Sequence, residues 1–331
     1  MKRVVGVLSI LLLTTALVMV MTTGAQAKAK KLKFGHVNSP SSHFHFACLE
    51  FKKVLEAKSK GALKVDVYPA EQLGTGQEHI QGMVLGTIAC NPEIDVLLAN
   101  VAPLYNVWGV FYLFDSIENV KKFKAGPLQE KMNKQAISKG IRQIGYYDSN
   151  NVFNMLSKKP IHKLADLKGL KNRTIPVPSL IAGWKALGSS VVGLSFSEVY
   201  TSLATNLIHA VDNPLPDMYH EKFHEVTDYL CMTKDLVNVV SWNFSEKVWQ
   251  SLTPEEQKWV TETAVEIQPA IKAWCDKDDK MAMDAFKKKG IKIINTDLTG
   301  FADKIAANID EILGGKEDVI QLYKEIRAAQ K

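Results

Sequence analysis

The sequence has few cysteines, and none in a pattern that holds a metal or a redox centre. Its 331 residues contain four, Cys48, Cys90, Cys231 and Cys275, and no two of them form a C-x-x-C pair. This spacing argues against a C-x-x-C zinc site or a thioredoxin-like dithiol. One or two disulfides are compatible with an oxidising compartment, and buried free thiols fit equally well, so the sequence leaves both open.

The common enzyme signatures are missing as well. The chain has no G-x-S-x-G nucleophile elbow, no G-x-x-x-x-G-K-[ST] phosphate loop and no G-x-G-x-x-G after a strand. We therefore predict a protein that is not an enzyme and that needs no cofactor or metal.

One motif favours the opposite interpretation. His220 and His224 enclose a literal H-E-x-x-H, which on a helix places two imidazoles on one face for zinc, with Glu221 as general base. The extended zinc-protease pattern fails, because Thr227 replaces its glycine and Leu230 its third histidine. We interpret the motif as part of an ordinary surface helix, and a zinc-dependent hydrolase is the alternative.

The chain has no large excess of charge of one sign. Its 41 basic and 35 acidic residues give a net charge of +6, and no basic cluster interleaved with aromatic residues stands out. We therefore expect no nucleic-acid partner. The length exceeds that of most single domains, so two domains are expected.

A long hydrophobic run occurs once, at the N-terminus. Lys2 and Arg3 precede an apolar stretch over residues 4–21, and small residues lead to Ala25-Gln26-Ala27. This order predicts a secretory signal peptide over residues 1–27, cleaved after Ala27 or, as second choice, after Ala29. A membrane anchor is the alternative, since about 20 apolar residues cross a bilayer. Export predicts a soluble periplasmic protein.

Beyond that segment, strand patterns alternate with helix patterns, which predicts a largely parallel α/β sheet. Strands are predicted over residues 31–36, 63–68, 94–98, 141–147, 152–156, 170–175, 207–211 and 291–295, and helices over 43–58, 77–85, 180–187 and 196–205. One amphipathic helix over residues 254–289 should kink at Pro269 and be long enough to brace two domains.

Several segments, in one order and register, resemble the solute-binding subunits of tripartite ATP-independent periplasmic (TRAP) transporters of the DctP-like family. The segments are residues 32–37 (LKFGHV), 64–69 (KVDVYP) with 72–74 (QLG), 102–104 (APL), 111–114 (FYLF), 159–161 (KPI), 166–171 (DLKGLK), 185–188 (KALG), 196–200 (FSEVY) and 213–215 (NPL). Residues 90–95 look like an insertion.

The resemblance implies two α/β domains, linked by crossing strands and the long kinked helix, that close on a ligand in the cleft between them. Domain I would comprise residues 30–150 and 239–278, and domain II residues 151–238 and 279–331. The partners implied are a small organic acid and the membrane subunits of a TRAP permease driven by an ion gradient. The chain would be a monomer or a homodimer.

The resemblance also implies a binding site. Arg173 matches the arginine that pairs with the ligand carboxylate, which suits a guanidinium because its fork matches two carboxylate oxygens. Asn213 matches an amide that reaches the same carboxylate, and also fits a turn or cap position before Pro214. Phe196 matches an aromatic residue that packs over the ligand, and core packing is its alternative.

Two further ligand contacts are predicted because strand ends in α/β proteins collect at the cleft. They are Asn100, after the strand predicted over residues 94–98, and His36, at the end of the first strand. A surface salt bridge of no functional consequence is the alternative interpretation for Arg173.

The sequence departs from the sialic-acid-binding members at Phe153, where they carry a second arginine. An aromatic residue there predicts an apolar wall facing the tail of the ligand, and with one arginine only one carboxylate is neutralised. We therefore predict a monocarboxylate, such as a 2-oxo, 2-hydroxy or aromatic acid. A dicarboxylate or a sugar acid is the alternative.

Overall fold

The structure, a computed structural model, describes residues 29–330, so the predicted signal peptide lies outside the described residues. The strands are β1 (Lys30–Gly35), β2 (Leu63–Tyr68), β3 (Cys90–Ile94), β4 (Ile141–Tyr147), β5 (Asn154–Ser157), β6 (Lys171–Thr174), β7 (Ser190–Gly193), β8 (Ala210–Asn213), β9 (Tyr229–Cys231), β10 (Val240–Ser245) and β11 (Lys292–Ile294).

The α-helices are α1 (His43–Lys58), α2 (Gly76–Leu85), α3 (Ile117–Lys124), α4 (Pro127–Ser138), α5 (Pro178–Ala186), α6 (Val199–Ala204), α7 (Leu215–His220), α8 (Glu246–Gln250), α9 (Pro254–Glu266), α10 (Gln268–Lys289), α11 (Phe301–Ala307), α12 (Ile309–Ile312) and α13 (Glu317–Ala329). Short 3-10 helices lie at Asp95–Asn100, Pro103–Gly109, Leu164–Leu167, Phe196–Glu198 and Phe223–Glu225.

The strands form two sheets. The five-stranded sheet has the order β2-β1-β3-β10-β4, and the six-stranded sheet has the order β11-β9-β5-β8-β6-β7. In the first, β1 runs parallel to β2 and β3, whereas β10 is antiparallel to β3 and β4. In the second, β6 is parallel to β7 and β8, and β5 is antiparallel to β8 and β9. The predicted α/β class is confirmed, with one antiparallel strand inside each sheet.

Two extended chain segments cross between the sheets, as predicted, and the long helix makes a third connection, from β10 to β11. The chain leaves the five-stranded sheet after β4, enters the other at β5, and returns between β9 and β10. These segments pair with each other: Phe153 N donates to Leu236 O at 2.9 Å, and Asn238 N donates to Asn151 O at 2.9 Å. The hydrogen bonds satisfy backbone groups that would otherwise be buried without partners.

The long bent helix is also confirmed. Residues 254–289 form α9 and α10, with Ile267 between them and Pro269 at the start of α10. Proline lacks an amide hydrogen, and its ring clashes with the carbonyl one turn earlier, so the helix bends here. Thr253 begins α9 with a capping box that includes Glu256.

Apolar packing joins helices that follow strands of the six-stranded sheet to the segment that follows β3 of the five-stranded sheet. The Trp184 ring of α5 lies 4.7 Å from the Phe111 ring, and the Phe301 ring of α11 lies 6.0 Å from the Tyr112 ring. Trp184, Phe111 and Phe301 are almost fully buried in one continuous apolar cluster. The C-terminal helices therefore pack against the segment that follows β3. The domain bounds given above stay a prediction.

Some predicted elements are wrong or displaced. The strand predicted over residues 94–98 is a 3-10 helix, Asp95–Asn100, and the strand there is β3, which ends at Ile94. A buried apolar run has no periodicity that separates a strand from a buried helical segment. The helix predicted over 196–205 is split into a 3-10 turn and α6, and the strand predicted over 207–211 begins only at Ala210.

All four cysteines are free and buried. Of the two states that the sequence allowed, the structure therefore has free thiols. Burial raises the pKa of the Cys231 thiol to about 11, so it is protonated at neutral pH. Within residues 29–330, no helix combines the length and the apolarity needed to cross a membrane.

Candidate functional site

A cavity of about 250 Å³ lies between the two sheets. Its lining comes from both: Glu93 and Ile94 at the end of β3, Arg173 on β6 and Asn213 at the end of β8 all contribute. Strand ends meet at this cavity because neighbouring parallel strands finish at the same edge of a sheet, where α/β proteins bind ligands.

Arg173 is the cation of this cavity. It is 3 % exposed, and its Nε and Nη2 donate to Leu194 O at 3.2 and 2.9 Å. These bonds occupy one edge of the guanidinium, so the Nη1–Nη2 edge remains for a bidentate anion. Burial lowers the pKa of Arg173 to about 10, although nearby Asp212 opposes the shift. The side chain is therefore still protonated at neutral pH.

Three other predicted residues line the same cavity. Phe196 places its ring 5.7 Å from the Arg173 Cζ. Asn213, the last residue of β8, is 7 % exposed, and its Oδ1 has no hydrogen-bond partner in the described part of the chain. Phe153 lies on the first crossing segment and is 3 % exposed. The structure thus brings together Phe153, Arg173, Phe196 and Asn213, from four separate segments.

Asn100 and His36 do not line the cavity. Asn100 is exposed at the end of the 3-10 helix Asp95–Asn100, which turns away where a strand was predicted. His36 is fully buried beside β1, where its Nε2 lies 3.1 Å from His45 Nδ1. Burial lowers the pKa of His36 to about 3. The next two residues, Val37 and Asn38, line the cavity instead.

Sequence reasoning missed the acidic residues of the cavity, Glu71, Glu93 and Asp217. Burial raises the pKa of Glu93 to about 7 and that of Asp217 well above its usual value. Glu71 follows Ala70, and both have positive φ angles, 57° and 51°. Such strain in non-glycine residues often marks a functional site. The sequence signals are faint: an acidic residue after Pro92 in the apparent insertion, and another shortly after the NPL segment.

Hydrogen bonds join the two sides of the cavity at its margins. Gln77 Nε2 donates to Pro176 O at 3.0 Å, and Ser39 N donates to Glu221 Oε1 at 2.8 Å. Gln77 and Ser39 follow strands of the five-stranded sheet, whereas Pro176 and Glu221 follow strands of the six-stranded sheet. The cavity therefore lies in a cleft whose two sides are in contact.

The H-E-x-x-H segment is not a continuous helix. α7 ends at His220, Lys222 has a φ of 59°, and His224 belongs to the next 3-10 turn. The prediction of a surface helix is wrong, because His220 is largely buried with its Nε2 2.9 Å from both carboxylate oxygens of Asp278. The helical break separates the two imidazoles that a zinc protease needs on one face. No group of three potential metal ligands occurs within residues 29–330.

The fold and the site define a class: an α/β protein of two sheets with a charged cavity between them. Residues 34–314 match the family model of the bacterial extracellular solute-binding proteins, family 7 (DctP). This match covers most of the chain, which therefore belongs to that family, a family of TRAP periplasmic binding proteins and not of enzymes.

Individual relatives agree with this assignment. The chain is 29 % identical to the solute-binding protein RD1_1052 of Roseobacter denitrificans, over 88 % of this chain and 90 % of the relative. It is 28 % identical to the 2,3-diketo-L-gulonate-binding periplasmic protein YiaO of Escherichia coli, over 86 % of this chain and 87 % of the relative.

The fold of solved relatives is the same. The structure of the Roseobacter denitrificans protein with bound L-galactonate superimposes with a TM-score of 0.84 at 27 % identity, covering 90 % of this chain and 99 % of the other. A TRAP periplasmic solute-binding protein from Sulfitobacter sp. NAS-14.1 superimposes with a TM-score of 0.86 at 21 % identity, covering 90 % of this chain and all of the other.

Proposed function

We propose that this chain captures a small monocarboxylate in the cleft and delivers it to a TRAP-type membrane permease. The observation that carries the proposal is Arg173, a buried guanidinium in the cavity whose Nη1 has no hydrogen-bond partner among residues 29–330 and can meet a carboxylate. Asn213, whose Nδ2 amide group can donate to a carboxylate, and Phe196, whose ring lies 5.7 Å from the Arg173 Cζ, line the same cavity and complete the anchor.

A single carboxylate is favoured by the charges around it. Arg173 is the only lysine or arginine among the cavity-lining residues within 29–330, whereas Glu71, Glu93 and Asp217 are acidic. A second carboxylate would enter beside these acids without a cationic partner, which is unfavourable by several kcal/mol. L-galactonate and 2,3-diketo-L-gulonate, the ligands in the names of two relatives, each carry one carboxylate.

The proposed location of the protein is the periplasm. The signal-peptide pattern of residues 1–27 and the periplasmic location of named relatives support a periplasmic receptor. Residues 30–150 with 239–278 would then move against residues 151–238 with 279–331 to open and close the cleft. The crossing segments and the bent helix are the connections about which such a motion would occur.

The test is titration calorimetry of the mature protein after its co-purified small molecules have been identified by mass spectrometry and removed. Arg173→Ala removes one partner of a desolvated charge pair, which typically costs about 2–5 kcal/mol, or about 30-fold in affinity or more. Arg173→Lys should lose less affinity than Arg173→Ala because the positive charge is kept. It should still bind more weakly than the wild type because the bidentate geometry is lost.

Arg142→Ala is the matched control, because Arg142 pairs with Glu246 outside the cavity. It should bind like the wild type. A folded Arg173→Ala with unchanged affinity for the co-purified acid would remove the anchor from the proposal. Stabilisation of the wild type by succinate or malate, and not by any monocarboxylate, would show that the ligand class is wrong.

A further inference from the structure

We propose that one edge of the six-stranded sheet binds the anionic surface of a phospholipid membrane. At this edge β6, β7 and β8 begin and β5 ends, and we call it the lysine edge because it carries Lys158, Lys159, Lys171 and Lys292. The cavity lies at the opposite ends of β6 and β8. The inference therefore assumes nothing about the ligand and goes beyond the proposed function.

Backbone hydrogen bonds hold the lysine edge in one row. Lys158 N donates to His209 O at 2.9 Å, and His209 N donates to Lys171 O at 2.7 Å. On the other side of β5, Lys292 N donates to Asp228 O at 2.9 Å, and Asp228 N donates to the last residue of β5 at 3.1 Å. Neighbouring strands lie about 4.8 Å apart, so the row from β11 to β6 spans roughly 19 Å.

The positive charges of this row are not neutralised within the chain. Lys159, Lys171 and Lys292 are exposed and Lys158 is half-buried, and none of them forms a salt bridge among residues 29–330. Asp228, the acid in the row, forms none there either. Every salt bridge of a lysine or arginine in the described part of the chain lies within residues 30–150 and 239–278.

His209 lies in the combined field of these lysines. Its pKa is lowered from the ordinary value of 6.5, first by partial burial and then by the positive charges of Lys159, Lys171 and Lys158. The charges of three lysines thus converge on one imidazole in the middle of the row. A surface that concentrates charge of one sign attracts partners of the opposite sign.

Two structural roles of lysine do not account for the row. A lysine on an edge strand hinders pairing between sheets, which suits Lys292 on β11, but Lys158 follows β5 and Lys171 begins β6, which are inner strands. Lysines in the last turn of a helix stabilise its dipole, which suits Lys287–Lys289 in α10. The inner-strand lysines have neither role, so an external anion remains as their partner.

The composition of the lysine edge favours a lipid surface over a protein. Protein interfaces are enriched in arginine and aromatic residues and depleted in lysine, whereas the permanent cations of this row are all lysines. Lysine is a compact charge on a flexible stem, which suits the mobile phosphates of a membrane surface. Leu207, which is 53 % exposed two residues before His209, adds an apolar side chain that can enter the headgroup layer.

The experiment measures binding of the protein without residues 1–27 to phospholipid vesicles by sedimentation at low ionic strength. The vesicles contain phosphatidylcholine alone or a mixture of phosphatidylcholine and phosphatidylglycerol. We expect binding to the mixture and not to phosphatidylcholine alone. About 1 M salt should release the protein, because charges are then screened beyond about 3 Å.

The edge variant combines Lys158→Gln, Lys159→Gln, Lys171→Gln and Lys292→Gln. Each lysine near an anionic surface strengthens binding about 5-fold, so this variant should bind the mixed vesicles at least about 30-fold more weakly than the wild type.

The control variant changes the net charge by the same amount on the five-stranded side. It combines Lys33→Gln, Lys122→Gln, Lys131→Gln and Lys139→Gln, which replace exposed lysines outside any salt bridge of residues 29–330. It should bind the mixed vesicles like the wild type. Both variants should keep the melting temperature and the affinity for the co-purified acid, because neither set of lysines lines the cavity.

The outcomes separate this inference from its alternatives. No binding of the wild type to the mixed vesicles would overturn it, and so would equal binding to both kinds of vesicle. Equal weakening in the edge and control variants would show that net charge acts in place of the lysine edge. Binding to poly-L-glutamate through the edge lysines, without binding to vesicles, would replace the membrane by an acidic protein surface. Loss of acid binding alone, with vesicle binding intact, would contradict only the proposed function.

Discussion

The two sides of the cleft differ in the charges that they present and in the groups that they bury. The six-stranded side contributes Arg173 to the cavity and buries Asp212 and Asp235 near it, and burial raises the pKa of Asp235 to about 6. The five-stranded side contributes Glu71 and Glu93, and buries histidines. The six-stranded side also contributes Asp217, so it presents one base and one acid to the cavity, whereas the five-stranded side presents two acids.

This difference has a consequence for stability. The pKa values of the buried histidines of the five-stranded side, His36, His43 and His79, are lowered by burial, so the folded state resists their protonation. The pKa values of Asp212 and Asp235 are raised by burial, so the folded state resists their ionisation. A falling pH should therefore destabilise the five-stranded side, and a rising pH should destabilise the six-stranded side. The predictions below test this contrast and the contacts that join the two sides.

The largest effect is expected at His79, which is fully buried against Gly35 and Asn91. Burial lowers the pKa of His79 from 6.5 to about 4. The unfolded chain takes up this proton below pH 6.5, so the stability is complete above that pH and is lost as the pH falls towards 4. We expect His79→Gln to reduce the loss of unfolding free energy between pH 7 and 4.5 by about 2–3 kcal/mol, measured by urea denaturation.

Two further variants check the sign of this effect. His162→Gln replaces an exposed histidine and should not change the pH dependence. Asp235→Asn should act in the opposite sense, because a raised pKa removes stability as the pH rises from about 4 to 6. The same pH slope in His79→Gln as in the wild type would contradict the contrast between the two sides.

A smaller effect is expected at the contact between Ser39 and Glu221. Glu221→Ala removes the hydrogen bond that joins the two sides outside the cavity lining. One such bond contributes about 1 kcal/mol net, so the closed form should be less favoured and the ligand should dissociate about 5-fold faster in stopped-flow measurements.

Glu225→Ala is the control for this contact. Glu225 is an exposed acid on the same segment, and its carboxylate accepts a hydrogen bond from Tyr200 Oη on its own side of the cleft. Ligand dissociation should be unchanged in this variant. Equal rates in wild type and Glu221→Ala would show that the contact does not hold the cleft closed.

The smallest effect is expected from metal removal. Because the helix breaks at Lys222 and His220 is paired with Asp278, EDTA should change neither the ligand affinity nor the melting temperature. Elemental analysis of the purified protein should find no stoichiometric zinc. One tightly held zinc per chain, with a hydrolytic activity that Glu221→Gln abolishes, would instead favour the hydrolase alternative.

The two sides of the cleft were also unequally predictable. Arg173, Phe196 and Asn213 lie in or beside segments whose order and spacing carry the family resemblance, and Phe153 was located by its distance along the chain from Arg173, so the sequence predicted these four positions. Glu71 lies between two of those segments but in a strained loop, and Glu93 lies in an apparent insertion, so no periodic pattern places either side chain. Their position in the cavity depends on contacts between segments that are distant in the chain.

The sequence alone determined much of the local structure of this protein. Alternating apolar residues specify the strands, and the missing amide hydrogen of Pro269 bends the long helix. Tertiary structure decided the rest. It turned the apolar run after Ile94 into a 3-10 helix and placed Asp278 beside His220. It also gathered three acids around one arginine. Burial and charge pairing depend on which distant segments meet, and no single stretch of sequence contains that information.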